Sequence, residues 1–409
     1  MSRPWCSRFG YLAGLGLAVV LGLAPAIRAQ STTRPPAQGS PAASGESQLA
    51  AAAKAESEFR FDLATDRLYA LLIEQPGTSA AVAARLRLAR LLALAGKLQP
   101  AILECQLLRD EVGPDHSLRQ RAIEMATVLA RRLRAAATPG GSYFSAFEPW
   151  PARGIQNIDE PRTIVFDGDG TFVLLDAAAE RVYRVGPDAG AQIASPPSPT
   201  AATLLADSGL LVFGKNGLVS LTSSRAVPLT GVQGGTTRSY KNIRSMAALS
   251  TGDLLLIDRE YDGLIRCQYP AGTCAPAGPV GRHRVVKVGA SDWAYLLDER
   301  GQVLRILDAD QRQIAAFGPA IGSVKLERVE DIAVDSAHGL YLLDRGSKRV
   351  WVVNLRATED GTLNAVVAGS FLVPQEGEGG LKNPWAIGVA AGGSLVVAAK
   401  GTSRIMRLR

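Results

Sequence analysis

The chain has 409 residues, 20% of them charged, and a formal net charge of +7. With 45 Lys and Arg against 38 Asp and Glu, the excess is too mild to indicate nucleic acid. It falls to +4 if Arg3, Arg8 and Arg28 leave with an N-terminal segment. Three histidines and four cysteines leave few ligands for a metal centre.

Residues 1–29 begin with Arg3 and Arg8, run through an apolar stretch from Tyr11 to Leu23, and end on the small residues around Ala24-Pro25-Ala26 and Ala29. That order is a secretory signal peptide, with an uncleaved anchor as the alternative because Phe9–Ile27 approaches the ~20 residues that span a bilayer. Cys6 precedes the apolar run, which is the wrong place for a lipid-attachment cysteine. No later segment is long and apolar enough to span, so the rest is expected to be soluble and exported to the periplasm or cell envelope. Residues 30–47, rich in Pro, Ser, Ala and Gly, cannot bury enough surface to order themselves and are expected to form a disordered tether.

From residue 48 to 137 the composition shifts to Ala, Leu and Arg. Leu86, Ala89, Leu92 and Ala93 recur at helical spacing, as do Ala101, Cys105 and Leu108, and then Ala122, Met125, Ala126 and Leu129. Breaks are predicted at Gln75-Pro76-Gly77, Gly96 and Gly113-Pro114-Asp115. The segments superpose at an offset of 36–37 residues, near the ~34 of a tetratricopeptide unit, and the stretch resembles envelope-type tetratricopeptide repeats. Its Trp and Tyr consensus positions are mostly absent, and an ordinary α-hairpin stack is the alternative. Cys105 lies on an apolar helical face, where it serves as a small hydrophobe. Residues 138–151 form a boundary whose aromatics, Tyr143, Phe144, Phe147 and Trp150, are expected to pack the helices against the C-terminal region. A partner-binding aromatic patch is the other reading.

The remainder, 152–409, is repetitive. Val329–Val353 reads as three short strands, DIAVD, GLYLLD and KRVWVV, separated by turns. Its middle strand is apolar at successive positions, so both faces need cover. Pro161–Val185 repeats the pattern with Asp167, Gly170 and Asp176 in the places of Asp335, Gly339 and Asp344. Weaker copies place their middle-strand ends at Gly214, Asp258, Asp298 and Ala399. The six ends are 38 to 55 residues apart, the spacing of propeller blades.

The repeat resembles the NHL family, whose units read approximately Pro-x-x-Ile-Ala-Val-Asp, Gly-x-Ile-Tyr-Val-Ala-Asp and Asn-x-Arg-Val-x-Val. The resemblance covers about residues 155–409, is best in the first and fifth copies, and implies a closed six-bladed β-propeller. The fold class is therefore mainly β with an N-terminal all-α module. Because the last copy ends after three strands, its fourth is expected from Ala152–Ile158, hiding two sheet edges. In the third copy Cys267 and Cys274 frame a turn, and in an oxidising compartment a disulfide is expected. A zinc pair is not, for want of further ligands.

Propellers resembling this one include lactonases and lyases that hold calcium or zinc. Only His283 and His338 fall in this propeller, however, and Asp167-Gly168-Asp169-Gly170 lacks the ligands of a calcium loop. Asp176, Asp258, Asp298 and Asp344 each end a strand before a turn, where Asp bonds local amides. With no nucleophile–base motif, no catalytic residue, cofactor or metal is predicted. The second-to-third-strand turns carry Lys215, Arg259, Arg300, Arg345, Lys348 and Lys400. Ring closure would gather these on one face to receive an acidic protein partner of the envelope or an anionic glycan, unless interspersed acids make them ordinary solvated charges. The expectation is a non-catalytic interaction scaffold that binds neither nucleic acid nor, after signal removal, the bilayer. The alternatives are a hydrolase or lyase acting on a sugar or lactone, and a small-ligand sensor.

Overall fold

Helix signals and the blade repeat divide the chain where the turn residues fall. The computed structural model describes residues 41–137, 144, 147–150, 153–155, 157–167, 170–207, 209–223, 226–233, 236–374, 381, 383–402 and 404–408. The signal segment, residues 30–40 of the expected tether, Tyr143, Ala152 and the Gly168-Asp169 pair lie outside them.

Helices α1 (Pro41–Ser57), α2 (Phe61–Glu74), α3 (Ser79–Leu94), α4 (Leu98–Glu111) and α5 (Ser117–Ala137) precede the sheets. Gly77 and Gly96 take the left-handed conformation (φ 75° and 78°) at two of the predicted breaks. The Thr78 hydroxyl accepts the Ala81 N–H at 3.2 Å and so caps α3. Leu68, Leu71, Leu88, Leu108 and Met125 are buried in one core with Ala52 and Ala55 of α1. Residues 41–47 are therefore helical and not tether. The alanine-rich run after them propagates the helix backwards at one hydrogen bond per residue. Among the described residues no helix is long and apolar enough to cross a membrane.

Six sheets form a closed six-bladed propeller. The inner strands are Pro161–Phe166, Ala201–Leu204, Ile243–Ala248, His283–Val288, Val329–Val334 and Pro384–Val389, in blades one to six. The second strands end at Asp176, Gly214, Asp258, Asp298, Asp344 and Ala399, as the repeat requires. Phe172–Asp176, Leu254–Asp258 and Leu395–Ala399 are buried at every position. Each blade packs on the next through such strands. Ile164, Phe172 and Tyr183 of blade one meet Ala386, Val396 and Ala398 of blade six, which closes the ring and hides both apolar faces.

The closing strand is not the expected one. Phe147–Pro149 pairs antiparallel with Ile405–Leu408 and becomes the outermost strand of blade six. Within the expected segment, Ile158 makes only an isolated bridge to Thr402, and Ile155 and Ile158 are buried in the core between blades six and one. Their apolarity serves packing rather than strand pairing. Blade three also carries a hairpin, Thr230–Gln233 and Thr236–Ser239, whose first strand runs parallel to Thr273–Val280.

Cys267 and Cys274 face one another across neighbouring strands and are joined by a disulfide, Cα atoms 4.0 Å apart. By loop closure this crosslink stabilises by about 2 kcal/mol. Replacing both cysteines by alanine should lower the melting temperature by roughly 4–8 °C. An unchanged melting curve under oxidising conditions would remove the bond from the stability account.

The helices lie on the face carrying the first-to-second and third-to-fourth-strand turns. Arg356 of blade five donates to the Ala93 carbonyl at 3.3 Å, and Gly361 abuts the Phe59 backbone. Phe144 is buried against Tyr341 and Phe371, with the Arg131 guanidinium of α5 over its ring. Trp150 packs on Phe172 and donates to the Gly186 carbonyl at 2.7 Å. Phe144 thus fastens α5 to blade five, whereas Trp150 packs inside the propeller, against blade one.

Candidate channel-mouth site

Asp176, Asp258 and Asp344 bind amides of the loop that precedes their own blade's inner strand. Asp344 accepts from the Glu327 and Arg328 N–H at 3.1 and 2.9 Å, and Asp176 from Asp159 and Glu160 at 2.8 Å each. Asp298 instead accepts from Gln302 and Val303 in its own turn. These carboxylates therefore hold structure, and in blades two and six Gly214 and Ala399 stand in their place.

Five inner strands carry a β-bulge at their second residue. The register skips between Pro161 and Thr163, Ile243 and Ser245, His283 and Val285, Val329 and Asp331, and Pro384 and Ala386. A bulge re-aims the extra side chain. Those displaced, Arg162, Arg244, Arg284, Glu330 and Trp385, line one mouth of the central channel, away from the helices.

Glu330, fully buried, is held by Arg284, by Arg328 at 2.8 Å and by Arg345 at 3.4 Å. The Trp385 ring lies under Arg345 at 5.3 Å and Lys400 at 5.5 Å. Arg162 pairs with Glu160, which Lys400 also approaches at 3.9 Å, and Arg244 pairs with Glu299. Burial depresses the Arg162 pKa; Glu160 opposes this, and Arg259 and Arg244 add to it. Deeper in, Lys287 Nζ meets Asp331 at 3.1 Å, and Asp331 also accepts the Ile387 N–H at 3.0 Å. Burial raises the Asp331 pKa against the pull of Lys287.

Of the six cations read from the turns, Arg345 and Lys400 converge on Trp385, and Arg259 lies within the field of Arg162. Lys215, Arg300 and Lys348 are exposed on their turns and join none of these pairs or stacks. Arg345 is not a free surface charge, because it is tied to buried Glu330. The bulge ring itself went unread. Its signal is the residue after the first position of aligned copies, Pro-Arg-Thr, Ile-Arg-Ser, His-Arg-Val, Val-Glu-Asp and Pro-Trp-Ala. His338 is buried in its first-to-second-strand turn, its Nδ1 2.8 Å from the Tyr295 hydroxyl. Among the described residues no three His, Cys, Asp or Glu are grouped to hold a metal ion.

No family model matches the chain, and no curated protein does. Solved structures resemble part of it. A protein of unknown function from Bacteroides thetaiotaomicron VPI-5482 is 11% identical, with TM-score 0.46 over 64% of this chain and 75% of that one. A streptogramin B lyase is 13% identical (TM-score 0.44; 64% and 97%). A gluconolactonase from Xanthomonas campestris is 12% identical (0.43; 64% and 88%).

Proposed function

We propose that the protein is a non-catalytic binding protein of the cell envelope whose open propeller face receives an acidic protein or an anionic glycan. The observation that carries this reading is the bulge ring with its Trp385 stack, where cations outnumber carboxylates around a mouth that the helices leave uncovered. The inner carboxylates support it too. A hydrolase or lyase acting on a sugar or lactone would need some of them free, yet Glu330 holds three arginines, Asp331 holds Lys287 and backbone amides, and Asp335 holds Arg132. The blades we read as NHL-type and the helices as tetratricopeptide-like, on the repeat residues and the 36–37-residue offset. Export rests on the N-terminal segment.

The test is crosslinked co-purification from the native envelope, comparing the natural chain with the Arg259→Glu/Lys400→Glu variant. Both residues are exposed, so the melting temperature should move by no more than about 3 °C. Capture should fall several-fold on charge reversal and again as salt shortens the screening length from ~10 Å at 0.1 M to ~3 Å at 1 M. Capture indifferent to both would move the contact off this face.

A further inference from the structure

We propose that the inner end of the channel, beneath α3 and α5, is a second site that binds a small organic anion: a carboxylate or phosphate group on an apolar body. The pocket has a volume of about 760 Å³ and is bounded by all six inner strands and by residues of α3 and α5. That is the size of a small-molecule site. It adjoins the channel mouth at the Lys287–Asp331 pair, where Lys287, Thr163 and Met246 line both compartments.

Its charges are unevenly satisfied. The acids around it are engaged: Asp335 by Arg132, Asp292 by the Ser250 amide and hydroxyl, Asp167 by Arg184 at 3.3 Å, and Glu124 by Gln120 at 2.9 Å. The cations on the helical side are not. Arg90 Nε is buried without a hydrogen-bond partner, and Arg121 enters no ion pair among the described residues. Glu56, which acts on Arg90 from a distance, is already held by Arg87 at 2.5 Å. Burial lowers the Arg90 pKa to about 10; Arg121 and Arg87 add repulsion and Glu56 opposes them. The guanidinium stays charged at neutral pH. Ser336 Oγ in the same pocket is a second buried polar atom with no partner. Buried polar groups are normally paired, so two orphans in one pocket point to a ligand that supplies acceptors. Met125, Ile332 and Ile387 offer the apolar wall.

The experiment titrates the full chain with hexyl phosphate, hexanoate and neutral hexanamide, following the melting temperature and binding heat. At ten times Kd an anion should raise the melting temperature by roughly 3–5 °C. Arg90→Met should weaken binding by about ten-fold or more, and Arg121→Gln, an exposed change that leaves the fold intact, should weaken it as well. The anion that binds more tightly identifies the head group. The proposal falls if neither anion binds, if hexanamide binds equally well, or if both variants bind as the natural chain does. Because the mouth residues are untouched, these outcomes are independent of partner capture at the open face.

Discussion

Replacing Arg132 by methionine should lower the melting temperature by about 10 °C and loosen α5 from blade five. Arg132 Nη2 lies 2.7 Å from both oxygens of Asp335, and its Nη1 donates to the Ala337 carbonyl at 3.0 Å. Both side chains are buried, with 4% and 0% exposed. Removing one partner strands the other charge in a medium that cannot solvate it, at a cost of about 3–5 kcal/mol. At 2–4 °C per kcal/mol for a cooperative unit of about 250 residues, roughly the size of the propeller, that gives the stated fall. Asp335 also accepts the Ala337 and Gly339 amides at 2.9 and 2.8 Å and the Tyr341 hydroxyl at 3.0 Å. These donors hold the orphaned carboxylate in place, so its burial is not relieved by movement toward water. Asp335→Asn added to Arg132→Met should recover part of the loss, since the stranded charge is then gone. Gly339 is required here because a Cβ would collide with the Arg132 guanidinium. Hydrogen exchange in α5 of Arg132→Met reports the docking. Protection unchanged, with a melting temperature within 2 °C of the natural chain, would show that other contacts hold the helices.

That ion pair also marks where sequence reasoning stops. The blade count and the end of every second strand are legible because the chemistry is local: an apolar run must be covered on both faces, and an Asp at its end binds nearby amides. Arg132 and Asp335 are 203 residues apart, and nothing in either neighbourhood announces the other. The turn between α1 and α2 is hidden for a related reason. Phe59 takes φ 58° with no glycine or proline to signal it, in a turn that the Gly361 loop of blade five abuts. At the channel mouth, turn position alone brings Arg345 and Lys400 to the face where Trp385 lies. Only the bulges decide which side chains reach the channel, and a bulge leaves a trace only when copies are aligned residue by residue. The closing strand was misplaced because Ile155 and Ile158 are apolar for packing, whereas Phe147-Glu148-Pro149 offers too few residues to read as a strand.

Acidification below pH 6.5 should destabilise the chain through His338. The imidazole is buried, stacked 4.4 Å from Trp293 and bonded through Nδ1 to Tyr295. Burial, with Arg90 of α3 and Arg132 of α5 adding repulsion, lowers its pKa to about 3. The unfolded chain takes up this proton near 6.5 and the folded one does not until about 3. Stability from this group is therefore complete above 6.5, falls through the interval between the two values, and levels off below. The slope approaches about 1.4 kcal/mol per pH unit for one proton. Asp331 acts in the opposite sense, since its raised folded pKa favours proton uptake by the native state as pH drops. The informative quantity is thus the difference between two curves. His338 sits at φ 58°, a conformation asparagine tolerates, so His338→Asn removes the titration without forcing the turn. Chemical denaturation from pH 7.5 to 4.5 should show the natural chain losing about 2–3 kcal/mol more than the variant, nearly all of it below pH 6.5. Parallel curves would mean that the histidine is protonated in the native state, and the buried, neutral imidazole between helices and blade would have to be given up.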